Sequence, residues 1–227
     1  MKAFVIYVKD HKGSESQAKG AIQSLRNSKF DVEKLEGATP KTLNKYRTIT
    51  NHIPGSRVSN FFKEDPRGKY MNKKSCFTNH LRVWEKCVDL GQPVAFLEHD
   101  AWCVRDWDNP QFDELLVLNI TSAWKVNTFS HLNTSAFTWD LGVNDYTISP
   151  LPYNKPVEEF TGGYMIPGTA AYAIQPKAAE KLLKLADRIG WEQSDFFINT
   201  KSVKMQYVVP EYFTFNPAQN LNMSHGF

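Results

Sequence analysis

The chain has 227 residues, of which 41% are hydrophobic and 22% charged, and its formal net charge is +3. This composition is ordinary for a soluble globular protein. A net charge this small does not by itself indicate a nucleic-acid partner.

The lengths of the apolar runs bear on cellular location. No run approaches the length of roughly 18 residues that a membrane span needs. The amino-terminal run, MKAFVIYVKD, is too short for a secretory signal and has no small-residue cleavage site after it. Cys76, Cys87 and Cys103 lack the spacing of a disulfide framework or a zinc site. We therefore expect a cytoplasmic protein without a membrane span, and no obligate protein partner is evident.

The first elements read as strand, helix and strand. Ala3 to Val8 is a continuous apolar run of the kind that is buried on both faces of a parallel sheet. Ser14 with Gln17 three residues later predicts a capping box at the start of a helix. A second strand is predicted within FDVEKLEGA, residues 30–38. This order is the opening of an α/β domain with a mostly parallel central sheet flanked by helices.

Residues 38–74 are rich in Lys, Arg, Asn and Gly and are interrupted by Pro54 and Pro66. We interpret them as a long excursion with short helical pieces. A helix is predicted next, with Ser75 as its N-cap and Gly91 as its C-terminal stop. Its apolar side chains repeat at helical spacing: Phe77, Leu81, Trp84 and Val88.

Acidic residues close the buried strand that follows. Val94 to Leu97 is apolar and ends in Glu98, His99 and Asp100. Ligands of open α/β sheets bind at the carboxyl ends of the strands. On an extended backbone Glu98 and Asp100 point to one side, which suits Mg²⁺ or Mn²⁺, and His99 points elsewhere unless the backbone turns. The alternative is an ordinary strand end whose acids face water.

The second half of the chain holds a Gly-rich turn with an apolar strand, at residues 162–175. Pro176 is predicted at the first position of a helix that Gly190 ends. Another helix is predicted to begin near Ser194 or Asp195. Asp195 is a candidate general base, and its alternative role is a helix cap.

Other candidates each have a structural alternative. His80 is a ligand-binding or a packing histidine. Arg82 pairs a phosphate or lies on a solvated face. Gly168 permits close approach to a ligand or only forms a turn. His225, in the tail, is a third candidate metal ligand.

Two motifs together resemble a known family. SCFTNHLRVWEKCVDLGQPVAFLEHDAW resembles the central signature of the family 25 glycosyltransferases, the LPS glycosyltransferase family. GTAAYAIQPKAAEKLL and QSDFFI resemble the later strand, helix and acidic segment of that family. The chain departs from the pattern at His99, where the family usually has Asp, and at Asn79, where it usually has Ser. The loss of one carboxylate puts metal affinity and metal choice in question.

The resemblance implies a GT-A-like fold, a single glycosyltransferase domain over residues 1–227, and inverting transfer to an acceptor hydroxyl. The implied donor is a nucleotide sugar, with UDP the favoured nucleotide, and the implied cofactor is Mn²⁺ or Mg²⁺. Asp195 matches the acidic residue that serves as the general base. The predicted metal ligands are Asp100, Glu98, His99 and His225. The predicted nucleotide-sugar contacts are Val8, Asn79, His80, Arg82, Glu98 and Gly168.

Two alternatives stay open. The basic segments Lys41 to Arg57 and Lys63 to Lys74 would suit an enzyme that glycosylates a hydroxylated base in DNA rather than a saccharide or lipopolysaccharide. The third hypothesis is a non-catalytic nucleotide-sugar or carbohydrate-binding module, in which His99 marks loss of the metal site.

Overall fold

The computed structural model describes residues 1–126, 140–147, 152–153, 160, 163–166 and 168–215. His225 and most of the predicted tail lie outside these residues. Within them, no helix is both long enough and apolar enough to cross a membrane.

Strands and helices alternate along the first half of the chain. In order they are β1 (Lys2–Tyr7), α1 (Lys12–Ser24), β2 (Asp31–Glu36), a 3₁₀ helix (Leu43–Lys45), α2 (Arg57–Glu64), α3 (Lys69–Leu90), β3 (Val94–Leu97), β4 (Ala101–Cys103), β5 (Leu115–Val117) and α4 (Ile120–Val126). The remaining elements are β6 (Gly142–Asp145), β7 (Pro152–Tyr153), β8 (Gly163–Tyr164), β9 (Ala171–Ile174), α5 (Pro176–Ile189), α6 (Ser194–Phe197), β10 (Met205–Val209) and β11 (Phe213–Phe215).

The central sheet has seven strands in the order β2-β1-β3-β9-β5-β10-β6. β9 runs antiparallel to both of its neighbours and β6 runs antiparallel to β10, so the other five strands share one direction. The carboxyl ends of those five strands therefore meet at one edge of the sheet, together with the amino end of β9. This arrangement confirms the predicted α/β class with a mostly parallel central sheet.

The apolar side chains of the strands alternate between two cores, as the period of two requires. Phe4 and Ile6 of β1 face the core that packs beneath α2, α3, α5 and α6. Ala3 and Val5 of the same strand face the second core, which includes α1, β4 and β11. β1 is thus buried on both faces, which explains its continuous apolar run.

Two predicted helix starts are wrong. α1 begins at Lys12, and the side chain of His11 accepts from the Ser14 N–H as N-cap. Ser14 instead accepts the Val8 N–H at 2.8 Å, so there is no Ser14–Gln17 capping box. α3 begins at Lys69, and Ser75, inside it, donates its hydroxyl to the Met71 carbonyl.

The predicted excursion at residues 38–74 therefore contains the 3₁₀ helix, α2 and the first turn of α3. The predicted helix ends are confirmed. Gly91, with φ 61°, closes α3 in the left-handed conformation that favours glycine. α5 begins at Pro176 and has Gly190 as its C-cap.

Candidate active site

The candidate site lies at the carboxyl edge of the sheet, after β3. Leu97 is the last residue of β3, and the Glu98 N–H donates to the Ala170 carbonyl at 2.8 Å. The Ala101 N–H then donates back to the Glu98 carbonyl at 3.1 Å, which closes a turn over residues 98–101. The backbone is therefore not extended between Glu98 and Asp100, and our argument from an extended strand is wrong. The turn nevertheless leaves Asp100 close enough for its charge to raise the pKa of Glu98.

Three carboxyl groups interact electrostatically at this edge. Burial first, and then the charges of Asp100 and Asp195, raise the pKa of Glu98 to about 8. Burial also raises the pKa of Asp100, while neighbouring His99 lowers it. A negative charge near a carboxyl group disfavours its ionised form. The fold thus places Asp100 and Asp195, from segments almost a hundred residues apart, near enough to Glu98 to repel its charge, and a cation would relieve this repulsion.

Asp195 is held by a loop that precedes β9. Its Oδ1 accepts from the Thr169 N–H at 3.1 Å and from the Thr169 hydroxyl at 2.9 Å. The residue before Thr169 is Gly168, with φ 99°, a conformation that only glycine adopts without strain. Gln193 is the N-cap of α6, and no side-chain bond caps that helix. The helix-cap role for Asp195 is therefore wrong. Gly168 allows the turn that positions Thr169.

Helix α3 supplies one wall of the site, which the sequence analysis missed. Cys76 is exposed to solvent, yet surrounding protein raises the pKa of its thiol to about 11, with the charge of Glu98 as a second cause. The charge of Asp195 is a further cause of this shift, so Cys76 lies near both Glu98 and Asp195. The charge of Lys73, one turn away, lowers the pKa of Glu98. The helical spacing of Lys73 and Cys76 was the available signal, but only the tertiary structure shows which face they share.

A second group of candidates surrounds the ends of β1 and β2. Asn79 Oδ1 accepts the Ala38 N–H at 2.6 Å. Arg82 donates to the Glu36 carbonyl at 2.5 Å and its guanidinium lies 3.9 Å from the ring centre of Tyr46. The fold thus brings Asn79 and Arg82 together at the end of β2, where their polar groups orient the chain, and Val8 follows the neighbouring strand, β1.

His80 belongs to the core rather than to this surface. It is 1% exposed, and its ring stacks on Phe96 with 4.0 Å between ring centres. Its Nδ1 lies 2.9 Å from the Tyr172 hydroxyl, which also accepts the Trp84 indole N–H at 2.9 Å. The direction of the bond between Nδ1 and the hydroxyl depends on the tautomer of His80. These contacts match the packing alternative.

Acid should destabilise the protein through His80. Burial lowers its pKa from 6.5 to about 3, so below pH 6.5 the unfolded chain binds this proton and the folded chain does not. The contribution of neutral His80 is complete above pH 6.5 and is lost as the pH falls towards 3, to a total of roughly 5 kcal/mol. We expect urea midpoints to fall over this range. His80→Gln, which does not titrate, should fall less steeply. Parallel curves for the two proteins would contradict this assignment.

The described residues fit a cation in part. Asp100 Oδ1 is buried and has no hydrogen-bond partner among the described residues, so it is open to bonding by a cation. Burial lowers the pKa of His99, which favours the neutral imidazole that metals bind. Within the described ranges, however, no three side chains of the His, Cys, Asp or Glu type are clustered closely enough to hold a metal. A cation here would therefore need further oxygens from water or ligand, which is how Mg²⁺ is commonly bound.

Glu192 is not available as an alternative base. It is 0% exposed, and its two oxygens accept the backbone N–H groups of Arg57, Val58 and Gln193 at 2.7–3.2 Å. It thereby binds the backbone N–H groups at the amino terminus of α2. Asp140 is exposed before β6, at the outermost strand of the sheet.

Comparisons with known proteins were made for the whole chain. Residues 2–198 match glycosyltransferase family 25 (LPS biosynthesis protein). No curated protein matches. Among solved structures, galactosyltransferase LgtC in complex with donor and acceptor sugar analogs is 12% identical, with 91% of this chain and 73% of that chain covered and a TM-score of 0.45. The apo form of mouse xyloside xylosyltransferase 1 is also 12% identical, with 89% and 81% covered and a TM-score of 0.40.

Proposed function

Because the chain belongs to glycosyltransferase family 25, we propose that it moves a sugar from a nucleotide-sugar donor to an acceptor hydroxyl with inversion at the sugar carbon. UDP is the nucleotide we favour. The acceptor we favour is a saccharide of the lipopolysaccharide type, in keeping with the description of the family.

The observation that carries the proposal is the meeting of Glu98, Asp100 and Asp195 at the carboxyl edge of the sheet. Transfer from a nucleotide sugar needs stabilisation of a diphosphate that leaves with negative charge. It also needs a base for the acceptor hydroxyl. A set of carboxylates at a ligand-binding edge is suited to provide both.

Asp100 and Glu98 are the residues that would hold Mn²⁺ or Mg²⁺, with His99 as a further candidate. The unpartnered Oδ1 of Asp100 and the raised pKa of Glu98 support this assignment. Such a cation, when bound, neutralises charge on the departing diphosphate. Without a counter-charge, Glu98 would hold a proton at neutral pH, because its pKa is about 8. Lys73 adds a positive charge on the same side.

Asp195 is our candidate for the base. Both of its hydrogen bonds to Thr169 engage Oδ1, and no bond to Oδ2 is found among the described residues. Thr169 thus fixes the orientation of the carboxylate and leaves Oδ2 to accept a proton from the acceptor hydroxyl. The nucleotide would lie beside the ends of β1 and β2, near Val8 and Arg82.

DNA is the less favoured acceptor. Arg47, in the basic segment Lys41 to Arg57, is engaged by Glu85 at 2.7 Å and by Asp187 at 2.5 Å. A guanidinium held by two acids does not offer its charge to a phosphate backbone. A steep loss of acceptor binding with rising salt would nevertheless favour DNA.

The proposal is tested by a thermal-shift screen of UDP-sugars with and without Mn²⁺. A ligand at a hundred times its Kd stabilises the native state by about 2.7 kcal/mol, which raises the melting temperature of a chain this long by roughly 5–10 °C. We expect one UDP-sugar to give such a shift and to give it only with the metal. Slow hydrolysis of that donor without acceptor would exclude the non-catalytic module. Equal melting with every nucleotide sugar would contradict the proposal.

A further inference from the structure

The side chain of Asn119 is buried without a hydrogen-bond partner. It is 2% exposed, and in the part of the chain that the structure describes neither Oδ1 nor Nδ2 has a hydrogen-bond partner. A buried primary amide loses its bonds to water on folding, and leaving both ends unpaired is unfavourable. Native proteins hydrogen-bond nearly all such groups, so an amide unpaired at both ends suggests a ligand.

Asn119 is placed at the same edge of the sheet as the candidate active site. It comes two residues after Val117, the last residue of β5. The Leu118 N–H donates to the Ala171 carbonyl at 3.0 Å, and the Glu98 N–H donates to the Ala170 carbonyl at 2.8 Å. Adjacent carbonyls at the start of β9 therefore hold the segments that carry Asn119 and Glu98 on its two sides.

Strand β11 makes a second connection between Asn119 and Asp100. The Leu118 carbonyl, next to Asn119, accepts the Phe213 N–H at 3.1 Å. At the other end of β11, Phe215 pairs with Ala101, next to Asp100. Two residue steps of strand span about 7 Å. The segments that carry Asn119 and Asp100 thus contact the same short strand two residues apart.

The chemistry of the two groups differs in a way that suits a sugar. A carboxylate only accepts hydrogen bonds, whereas a primary amide both donates and accepts. Sugar hydroxyls also donate and accept, so an amide can pair with a hydroxyl in either sense. We propose that Asn119 hydrogen-bonds hydroxyl groups of the transferred sugar and so helps to determine which donor is used. This inference rests on the proposed function.

Both amide atoms are closed to water in the unliganded chain, so the edge must open to admit a sugar. Closure of a site over its substrate is common among enzymes that must exclude water. The hydroxyl groups of the sugar would then supply the hydrogen bonds that the amide lacks.

The test separates the sugar from the nucleotide. Titrations with UDP, UDP-glucose, UDP-galactose and UDP-N-acetylglucosamine, all with Mn²⁺, are compared for the wild type and Asn119→Leu. We expect the variant to bind UDP within twofold of the wild type and to bind the preferred UDP-sugar at least tenfold more weakly. Its melting temperature should equal or exceed that of the wild type, because leucine removes an unpaired buried amide.

Ser56→Ala is the matched control. Its hydroxyl is also buried and has no partner among the described residues, but it belongs to the N-cap of α2 and not to the strand ends that carry Glu98 and Asn119, so its removal should leave both affinities unchanged. Asn119→Ala replaces the leucine variant if that one does not fold. Equal affinity of variant and wild type for the UDP-sugar, an equal loss for UDP and UDP-sugar, or the failure of both variants to fold would overturn the inference. A wild type that transfers no sugar would instead overturn the proposed function.

Discussion

Asp100→Ala is expected to abolish sugar transfer and to leave the fold intact. The carboxylate is our main candidate for holding the cation that neutralises the departing diphosphate, so its loss should reduce kcat/KM by roughly 10³-fold or more, or about 4 kcal/mol of transition-state stabilisation. Stability should change little, because the buried Oδ1 of Asp100 makes no hydrogen bond that alanine would break. Transfer rates in excess Mn²⁺ and the urea midpoint measure the two effects.

Asp106→Ala is the control for that experiment. Asp106 follows β4 and is exposed. Its substitution removes the same charge from the same segment of the chain. It should keep wild-type activity, which would show that net charge alone is not responsible. Near-wild-type turnover of Asp100→Ala at saturating Mn²⁺ would show that the metal site is wrongly assigned.

Asp195→Asn is expected to lower kcat by about a hundredfold or more, the usual scale for loss of a general base. The asparagine oxygen still accepts both bonds from Thr169, so the loop before β9 should keep its place. What is lost is the second carboxylate oxygen, Oδ2, which we expect to take the proton. Donor binding and melting temperature should therefore stay near those of the wild type. Single-turnover rates and donor titrations separate these effects.

Asp89→Asn makes the same chemical change at an exposed position near the end of α3 and should leave kcat unaltered. If kcat of Asp195→Asn stays within a few-fold of the wild type, Asp195 serves only to bind Thr169. Glu192 would not replace it as base, since both of its oxygens are already engaged by backbone N–H groups.

Local sequence determined the elements whose cause is local. β3 coincides with the apolar run Val94 to Leu97, and Pro176 starts α5 as predicted. Gly91 and Gly190 end their helices because a glycine tolerates positive φ. The start of α3 was misplaced because Ser75, a good N-cap residue, can equally bond its hydroxyl to the preceding turn of a helix, as it does to Met71.

The sequence also directed attention to the strand end after β3 and to Asp195, since hydrophobic pattern and motif are both readable along one chain. Which side chains meet is decided by contacts between distant segments. His80 is buried because Phe96 and Tyr172 pack on it, and Asp195 bonds Thr169 rather than its own helix. Asn119 became notable only because the folded chain buries its amide and offers it no partner. Burial and pairing are properties of neighbours in space, and spacing along the chain does not encode them.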